Sequence, residues 1–194
     1  MPITTDLQLT AKFTIGWIFK NVLDVGTANK PPTHQDQLLY EFSFTNGTGV
    51  NQADEIWVDR RTVTPSTPTD DIDLSGTALQ NSFGRDLNLS VVKGFWIINK
   101  GKLTSGTVLE GTYTPTTGED LLVGGVGAAA NFFADMFDGN EEARLRVKAA
   151  GCWPLIAPRD GYSVTGASSG DILRVFNDGS DDITYDILIW GVKA

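Results

Sequence analysis

Arg144-Leu145-Arg146-Val147-Lys148 alternates charged and apolar side chains and opens a run that extends to Gly191. Trp153-Pro154-Leu155-Ile156-Ala157-Pro158 follows Gly151, and Asp160-Gly161 then marks a turn before Tyr162-Ser163-Val164-Thr165. Ser169-Gly170 turns again into Ile172-Leu173-Arg174-Val175-Phe176. Asn177-Asp178-Gly179-Ser180 reads as the turn of a hairpin into Ile183-Thr184-Tyr185-Asp186-Ile187-Leu188-Ile189-Trp190. Side chains on a strand alternate between its two faces, so period-2 patterning broken by Asp-Gly and Ser-Gly turns predicts consecutive antiparallel strands.

The same period runs through the rest of the chain. Leu7, Leu9, Ala11, Phe13, Ile15, Trp17 and Phe19 occupy odd positions, with Gln8, Thr10, Lys12, Thr14, Gly16, Ile18 and Lys20 between them. This predicts a long strand, or two joined at Gly16, with one buried face. Residues 21–37, with Pro31, Pro32 and the single histidine His34, read as a loop. Leu38, Tyr40, Phe42 and Phe44 then alternate up to the tight-turn pair Asn46-Gly47. Further strands are expected over residues 53–64, 71–74, 87–91 and 121–123, and Phe95-Trp96-Ile97-Ile98 is apolar enough for burial on both faces. Residues 77–82 suit one helical turn capped by Ser75 or Thr77. Residues 101–118, rich in Gly, Thr and Pro, read as a loop excursion, and residues 131–137 as an aromatic segment. No linker interrupts the patterning. The expectation is one all-β domain over residues 1–194, an antiparallel β-sandwich of the jelly-roll kind with extended loops, in which residues 1–37 are a candidate arm.

Composition narrows the function classes. The chain has 194 residues and a formal net charge of −9. Nucleic-acid binding needs Lys and Arg to neutralise phosphates, so no nucleic-acid partner is expected. No apolar run reaches the roughly 20 residues that cross a bilayer, and Met1 to Asp6 lack the basic start of a signal peptide, so no membrane partner is expected either.

With one histidine and one cysteine, a Ser-His-Asp triad would have to use His34, and a Cys-His pair both His34 and Cys152. No Gly-x-Ser-x-Gly elbow accompanies His34, and Cys152 beside Trp153 reads as a small buried hydrophobe. His/Cys zinc clusters are excluded by the same count. The acidic runs Asp70-Asp71-Ile72-Asp73 and Asp178-Gly179-Ser180-Asp181-Asp182 offer oxygen ligands for Ca²⁺, but they fit no EF-hand spacing and read more simply as a solvated strand face and a turn. Trp17, Trp57, Trp96, Trp153 and Trp190 suit core packing better than sugar stacking. Gly124-Gly125-Val126-Gly127 lacks the Lys-Ser or Lys-Thr of a phosphate loop. No catalytic residue, cofactor or metal ligand is assigned.

Several pieces in order resemble tailed-phage virion structural proteins. They are Asn46-Gly47-Thr48-Gly49, Ala53-Asp54-Glu55-Ile56-Trp57, Asp59-Arg60-Arg61-Thr62, Asp71-Ile72-Asp73-Leu74-Ser75-Gly76 and Asn81-Ser82-Phe83-Gly84. Val92-Lys93-Gly94, Val123-Gly124-Gly125, Arg146-Val147-Lys148, Pro158, Gly161-Tyr162-Ser163-Val164-Thr165, Gly170-Asp171-Ile172-Leu173 and Thr184-Tyr185-Asp186-Ile187 follow. The resemblance covers the chain from about Leu38 onward. It implies a non-enzymatic virion component similar to capsid decoration (cement) proteins, made in the host cytoplasm and bound to the major capsid protein on the outer capsid surface. A tail, collar or fibre component used in host attachment is the alternative, and a carbohydrate-active enzyme stands behind both.

Ile18, Leu39, Leu188 and Trp190 are large and apolar on faces that a two-layer sandwich leaves to water. They form a candidate interface with a symmetry mate, and the resemblance to proteins of capsid lattices, which offer threefold and quasi-threefold positions, implies a homotrimer as the expected assembly. The intrachain alternative is that residues 101–118 or 131–137 fold over that face.

Overall fold

Alternation of apolar and polar side chains draws the chain into strands. The computed structural model describes residues 7–20, 33–81, 84–101, 119–124, 132, 136, 142–166 and 170–194. Among them twelve strands run in order: β1 (Leu9–Lys20), β2 (Thr33–Asn46), β3 (Gln52–Ala53), β4 (Glu55–Val63), β5 (Thr69–Asp73), β6 (Leu89–Gly101), β7 (Leu121–Gly124), β8 (Arg144–Val147), β9 (Cys152–Ile156), β10 (Tyr162–Ser163), β11 (Ile172–Asn177) and β12 (Ile183–Lys193). The architecture is all-β, with antiparallel pairing throughout except where β3 runs parallel to the end of β2.

The strands form three sheets. One has the order β4-β12-β6, with β9 and β10 sharing the far edge of β6. A second has the order β5-β11-β7-β8, and the third is β1-β2-β3. The antiparallel pairs nest: β7 with β8, β6 with β9, β5 with β11 and β4 with β12. Each pair encloses the previous one along the chain, and successive pairs fall alternately in the four-stranded and the five-stranded sheet.

This corrects the expected chain of consecutive hairpins. β11 and β12 lie in different sheets, and so do β8 and β9, and β10 and β11. The 177–182 turn therefore carries the chain between sheets. Asn177 shapes it: its amide donates to the carbonyls of Val63 (3.0 Å) and Asp181 (2.8 Å), and its carbonyl accepts from the Gly179 N–H (2.9 Å). Residues 74–78 form bends and Gln80 bridges Asp86 across a short antiparallel contact, with no helical turn; Ser82 and Phe83 lie outside the described residues. Thr33 to Gln37, read as loop, belong to β2, so His34 sits in a strand opposite Phe19. Pairing with a β1 that runs unbroken through Gly16 overrides the loop signal of Pro31 and Pro32.

One core cluster contains residues of both larger sheets. Trp57, Phe95, Ile97, Tyr185, Ile187 and Ile189 come from the five-stranded sheet, and Ile72, Leu121, Val123, Val147, Leu173 and Val175 from the four-stranded one. Each such side chain contributes about 1.5–3 kcal/mol on burial. Asn99, fully buried on β6, donates to the carbonyls of Glu119 and Val147 (both 3.0 Å) and accepts from the Gly101 N–H (2.7 Å). It thereby ties β6 to β8 and to the residues leading into β7.

A second cluster lies on the outer face of the five-stranded sheet. Trp190 is 1% exposed there, packed with Phe44 and Ala53 and flanked by Leu7, Leu9, Phe42, Ile56 and Ile156. Phe44 meets the indole edge-to-face, with ring centroids 5.9 Å apart. Among the described residues the cover over Trp190 is thus the base of the β1–β2 hairpin; residues 102–118 and most of 131–137, the expected intrachain cover, lie outside the described residues. The indole fits because residue 94 has no side chain: a Cβ on Gly94 would stand 2.2 Å from Trp190 Cζ2. Gly94→Ala is expected to push the indole off the sheet, cost about 1–3 kcal/mol through overpacking and loosen the hairpin base. Urea unfolding followed by tryptophan fluorescence checks this; unchanged stability would mean that Trp190 repacks freely.

Candidate functional site

Three places gather chemistry-bearing or unexpectedly apolar side chains: the open edge between the two larger sheets, the outer face of the four-stranded sheet and the outer face of the five-stranded sheet.

At the open edge, β4 and β5 are the terminal strands of their sheets. Arg61 shares the parity of the core residues Trp57 and Val63, and Asp70 that of Ile72, so the two side chains meet between the layers. Two guanidinium nitrogens of Arg61 donate to the two carboxylate oxygens of Asp70, one of them at 2.8 Å. The buried Tyr185 hydroxyl donates to Asp70 at 2.6 Å, and Arg61 reaches Asp59 at 3.2 Å. The hydrogen bond from Arg61 to Asp70 holds the guanidinium above its ordinary range, and burial followed by the Asp70 charge does the same for the Tyr185 hydroxyl. An open cleft of about 490 Å³ lies beside them, lined also by Arg60, Thr62, Thr64, Thr67 and Thr69. These charges are spent on one another, so the cluster acts as a clasp across the sheet edge.

The outer face of the four-stranded sheet is charged around one apolar pair, the buried Leu122 and its cross-strand neighbour Phe176. Arg174 forks onto its cross-strand neighbour Asp71 at 2.6 and 2.7 Å. Arg144 lies 5.3 Å over the Phe176 ring. Asp120 accepts from Lys148 (2.8 Å) and Arg146 (3.0 Å), which hold its carboxyl below the usual range. Arg146 also meets Asp178 at 3.4 Å. The two acidic runs are thus divided among separate basic partners. Among the described residues no group of three or more His, Cys, Asp and Glu is placed to hold a metal ion.

The outer face of the five-stranded sheet is different. Register aligns three rows across β4, β12, β6 and β9. Ile56–Trp190–Gly94–Ile156 is the row covered by the hairpin base. Val58–Leu188–Trp96–Pro154 comes next, and then Arg60–Asp186–Ile98–Cys152. Val58, Leu188, Trp96 and Ile98 line a groove of about 200 Å³ whose polar margin is Asp186. Arg60 forks onto Asp186 at 2.6 and 2.9 Å and holds its carboxyl below the usual range against partial burial, with Lys100 adding at 3.5 Å. Val58 is 58% exposed. The expected burial of Phe95-Trp96-Ile97-Ile98 on both faces is therefore half right: Phe95 and Ile97 fill the core, while Trp96 and Ile98 face this groove. Cys152 is exposed, not buried, because it sits on the outer face of β9, next to Ile98.

The four candidate interface residues separate. Trp190 is sealed inside the chain. Leu188 packs partly against the same cluster and partly lines the groove. Leu39 is 48% exposed on the β1–β2 hairpin, and the side chain of Ile18 lies outside the described residues. Sequence reading missed Val58 and Trp96 as members of this surface. Leu188 was visible because it is apolar on the parity that a half-wet strand gives to polar residues. The others emerge only when register sets them beside it.

Tyr185 offers a test of the edge clasp. Tyr185→Phe is expected to cost about 1–2 kcal/mol at neutral pH through the lost hydrogen bond. The raised folded-state pKa of Tyr185 means that only the unfolded chain releases this proton above about pH 10, so stability falls as pH rises from there. Tyr185→Phe should make that alkaline decline shallower. Urea titrations at pH 7 and 10.5 measure both effects; an equally steep decline in the variant would place the titration elsewhere. No family model matches the chain, and neither a curated protein nor a solved structure matches it.

Proposed function

We propose that the two larger sheets are the layers of a jelly roll, and that the chain is a non-enzymatic structural protein of a tailed-phage virion. In this reading it sits on the outer capsid surface as a homotrimeric decoration (cement) protein bound to the major capsid protein. The nested pairing supports the jelly roll: a long antiparallel ribbon, closed by the β7–β8 hairpin and rolled up, puts β4-β12-β6-β9 in one layer and β5-β11-β7-β8 in the other. Jelly rolls serve viral capsid and lectin domains among others, and fold alone does not choose between them.

The observation that carries the reading is the contrast between the two outer faces. On the four-stranded sheet charged side chains surround and cover its apolar pair Leu122 and Phe176, while the five-stranded sheet presents an open apolar strip beside the hairpin base. Water suits the first face and a protein surface the second. The polar groups that could be mistaken for an active centre, Arg61, Asp70 and Tyr185, hold the layers together. A net charge of −9 sets the surface against nucleic acid.

Location in the particle tests this. Density for the chain on the outside of the head, at threefold or quasi-threefold positions, is expected. Density at the tail alone overturns the head assignment in favour of an attachment component, and absence from particles overturns both. Residues 102–117 give a second test. Asn99 bonds both the Gly101 N–H and the Glu119 carbonyl, so the ends of this segment are held side by side and its deletion leaves a short closure. Deletion is expected to leave a folded protein that binds particles less well; undiminished co-sedimentation with particles would remove the segment from the contact.

A further inference from the structure

We infer that the open apolar row on the five-stranded sheet is the seat of the β1–β2 hairpin of a second copy of this chain. The inference deepens the self-assembly part of the reading above and rests on it. The exposed large hydrophobic side chains among the described residues fall in few places: Leu38 and Leu39 on the hairpin, Val50 after its base, and Val58 on the row.

The chain already shows how these surfaces fit. Phe42 and Phe44, on one parity of β2, pack on the row that holds Trp190. Leu38 continues the same parity outward along the hairpin, opposite Ile15 of β1. The Val58–Leu188–Trp96–Pro154 row continues the covered surface across the same sheet. The row spans three strand spacings, about 14 Å, which about four residues of extended chain match. Within one copy the match is unused, since Leu38 stays 46% exposed and Val58 58% exposed.

Charge points to the same occupant. Among the described residues, Arg60 and Lys100 both pair with Asp186 beside the row, so the three groups leave one positive charge over. Copies that each carry −9 repel at long range, and a seat with one positive charge to spare is where that repulsion is least. An arm placed in a neighbour's groove joins two different patches, and such a contact closes into a ring when the rotation allows.

The test uses the full chain. Mass by light scattering at about 100 µM should exceed 21.0 kDa, with a value near three times that for a closed trimer. Val58→Glu and Leu38→Glu each change a half-exposed side chain, so both should keep the wild-type circular dichroism and melting temperature. Each alone is expected to lower the mass to that of one chain. Mixing the two should restore a heavier species, because the Leu38→Glu copy keeps an intact groove and the Val58→Glu copy an intact arm. A monomeric wild type, a Val58→Glu variant of wild-type mass, or no recovery on mixing would each overturn the inference. A monomeric wild type that still decorates heads overturns it and leaves the virion reading standing. Self-association in a protein absent from particles does the reverse.

Discussion

Strand β12 carries large apolar side chains on both of its faces, and the molecule is arranged around that constraint. It lies between β4 and β6, with Tyr185, Ile187 and Ile189 buried in the core and Leu188 and Trp190 on the opposite face. An antiparallel strand in a half-wet sheet would carry polar residues at those two positions. A covering layer is therefore required on both sides. The four-stranded sheet supplies one. The hairpin base supplies the other only over Trp190, where Gly94 makes room beneath the indole and Phe44 closes above it. Trp190 Nε1 is buried without a hydrogen-bond partner, a cost of about 1–3 kcal/mol that the apolar contacts around it outweigh. Over Leu188 the cover stops short, and the groove begins there.

Polar residues settle the edges of this stack. The sheets are open where β4 and β5 end them, and unpaired edges invite strands from other molecules. Arg61, Asp70 and Tyr185 close that gap with a partly buried network in which Asp70 accepts from both partners. Removing one member strands the rest, so such networks cost more to break than they contribute when intact. Asn99 and Asn177 do comparable work where the chain leaves a sheet, each using its amide and its carbonyl to bind backbone groups at strand ends and in the adjoining turns. An arginine, an aspartate and a tyrosine in contact resemble chemistry in a sequence. Their bonding here leaves them little capacity for it.

Strands were legible from sequence and their partners were not. The parity of Leu9 to Phe19, of Leu38 to Phe44 and of Tyr185 to Ile189 marks strands because side-chain alternation is a local property. Asn177-Asp178-Gly179 signals equally well that the chain turns, but a turn does not say which sheet receives the next strand. Here β12 passes over β11 and pairs with β4, more than a hundred residues earlier: Asp186 stands opposite Arg60. Pairing was decided by which apolar faces had to meet. The same distance hid the site. Val58, Trp96 and Pro154 lie on three strands far apart in the chain, and only register brings them into line with Leu188. Cys152 was misplaced for a related reason: an apolar neighbour in sequence points to the opposite face of a strand, so Trp153 packing inward puts Cys152 outward.

The row is consequently a property of the completed fold. Its four members come from β4, β12, β6 and β9, and the central strand joins last in chain order, so no partial sheet presents it. Anything that occupies the row binds the folded chain and not the unfolded one, and stabilises it by an amount that grows with the occupant's concentration relative to its dissociation constant. At a hundredfold excess over that constant the gain is about 2.7 kcal/mol, as large as filling a core position. A surface built this way couples assembly to folding. The chain gains stability where the occupant of the row is abundant, and only chains whose sheets have closed can receive it.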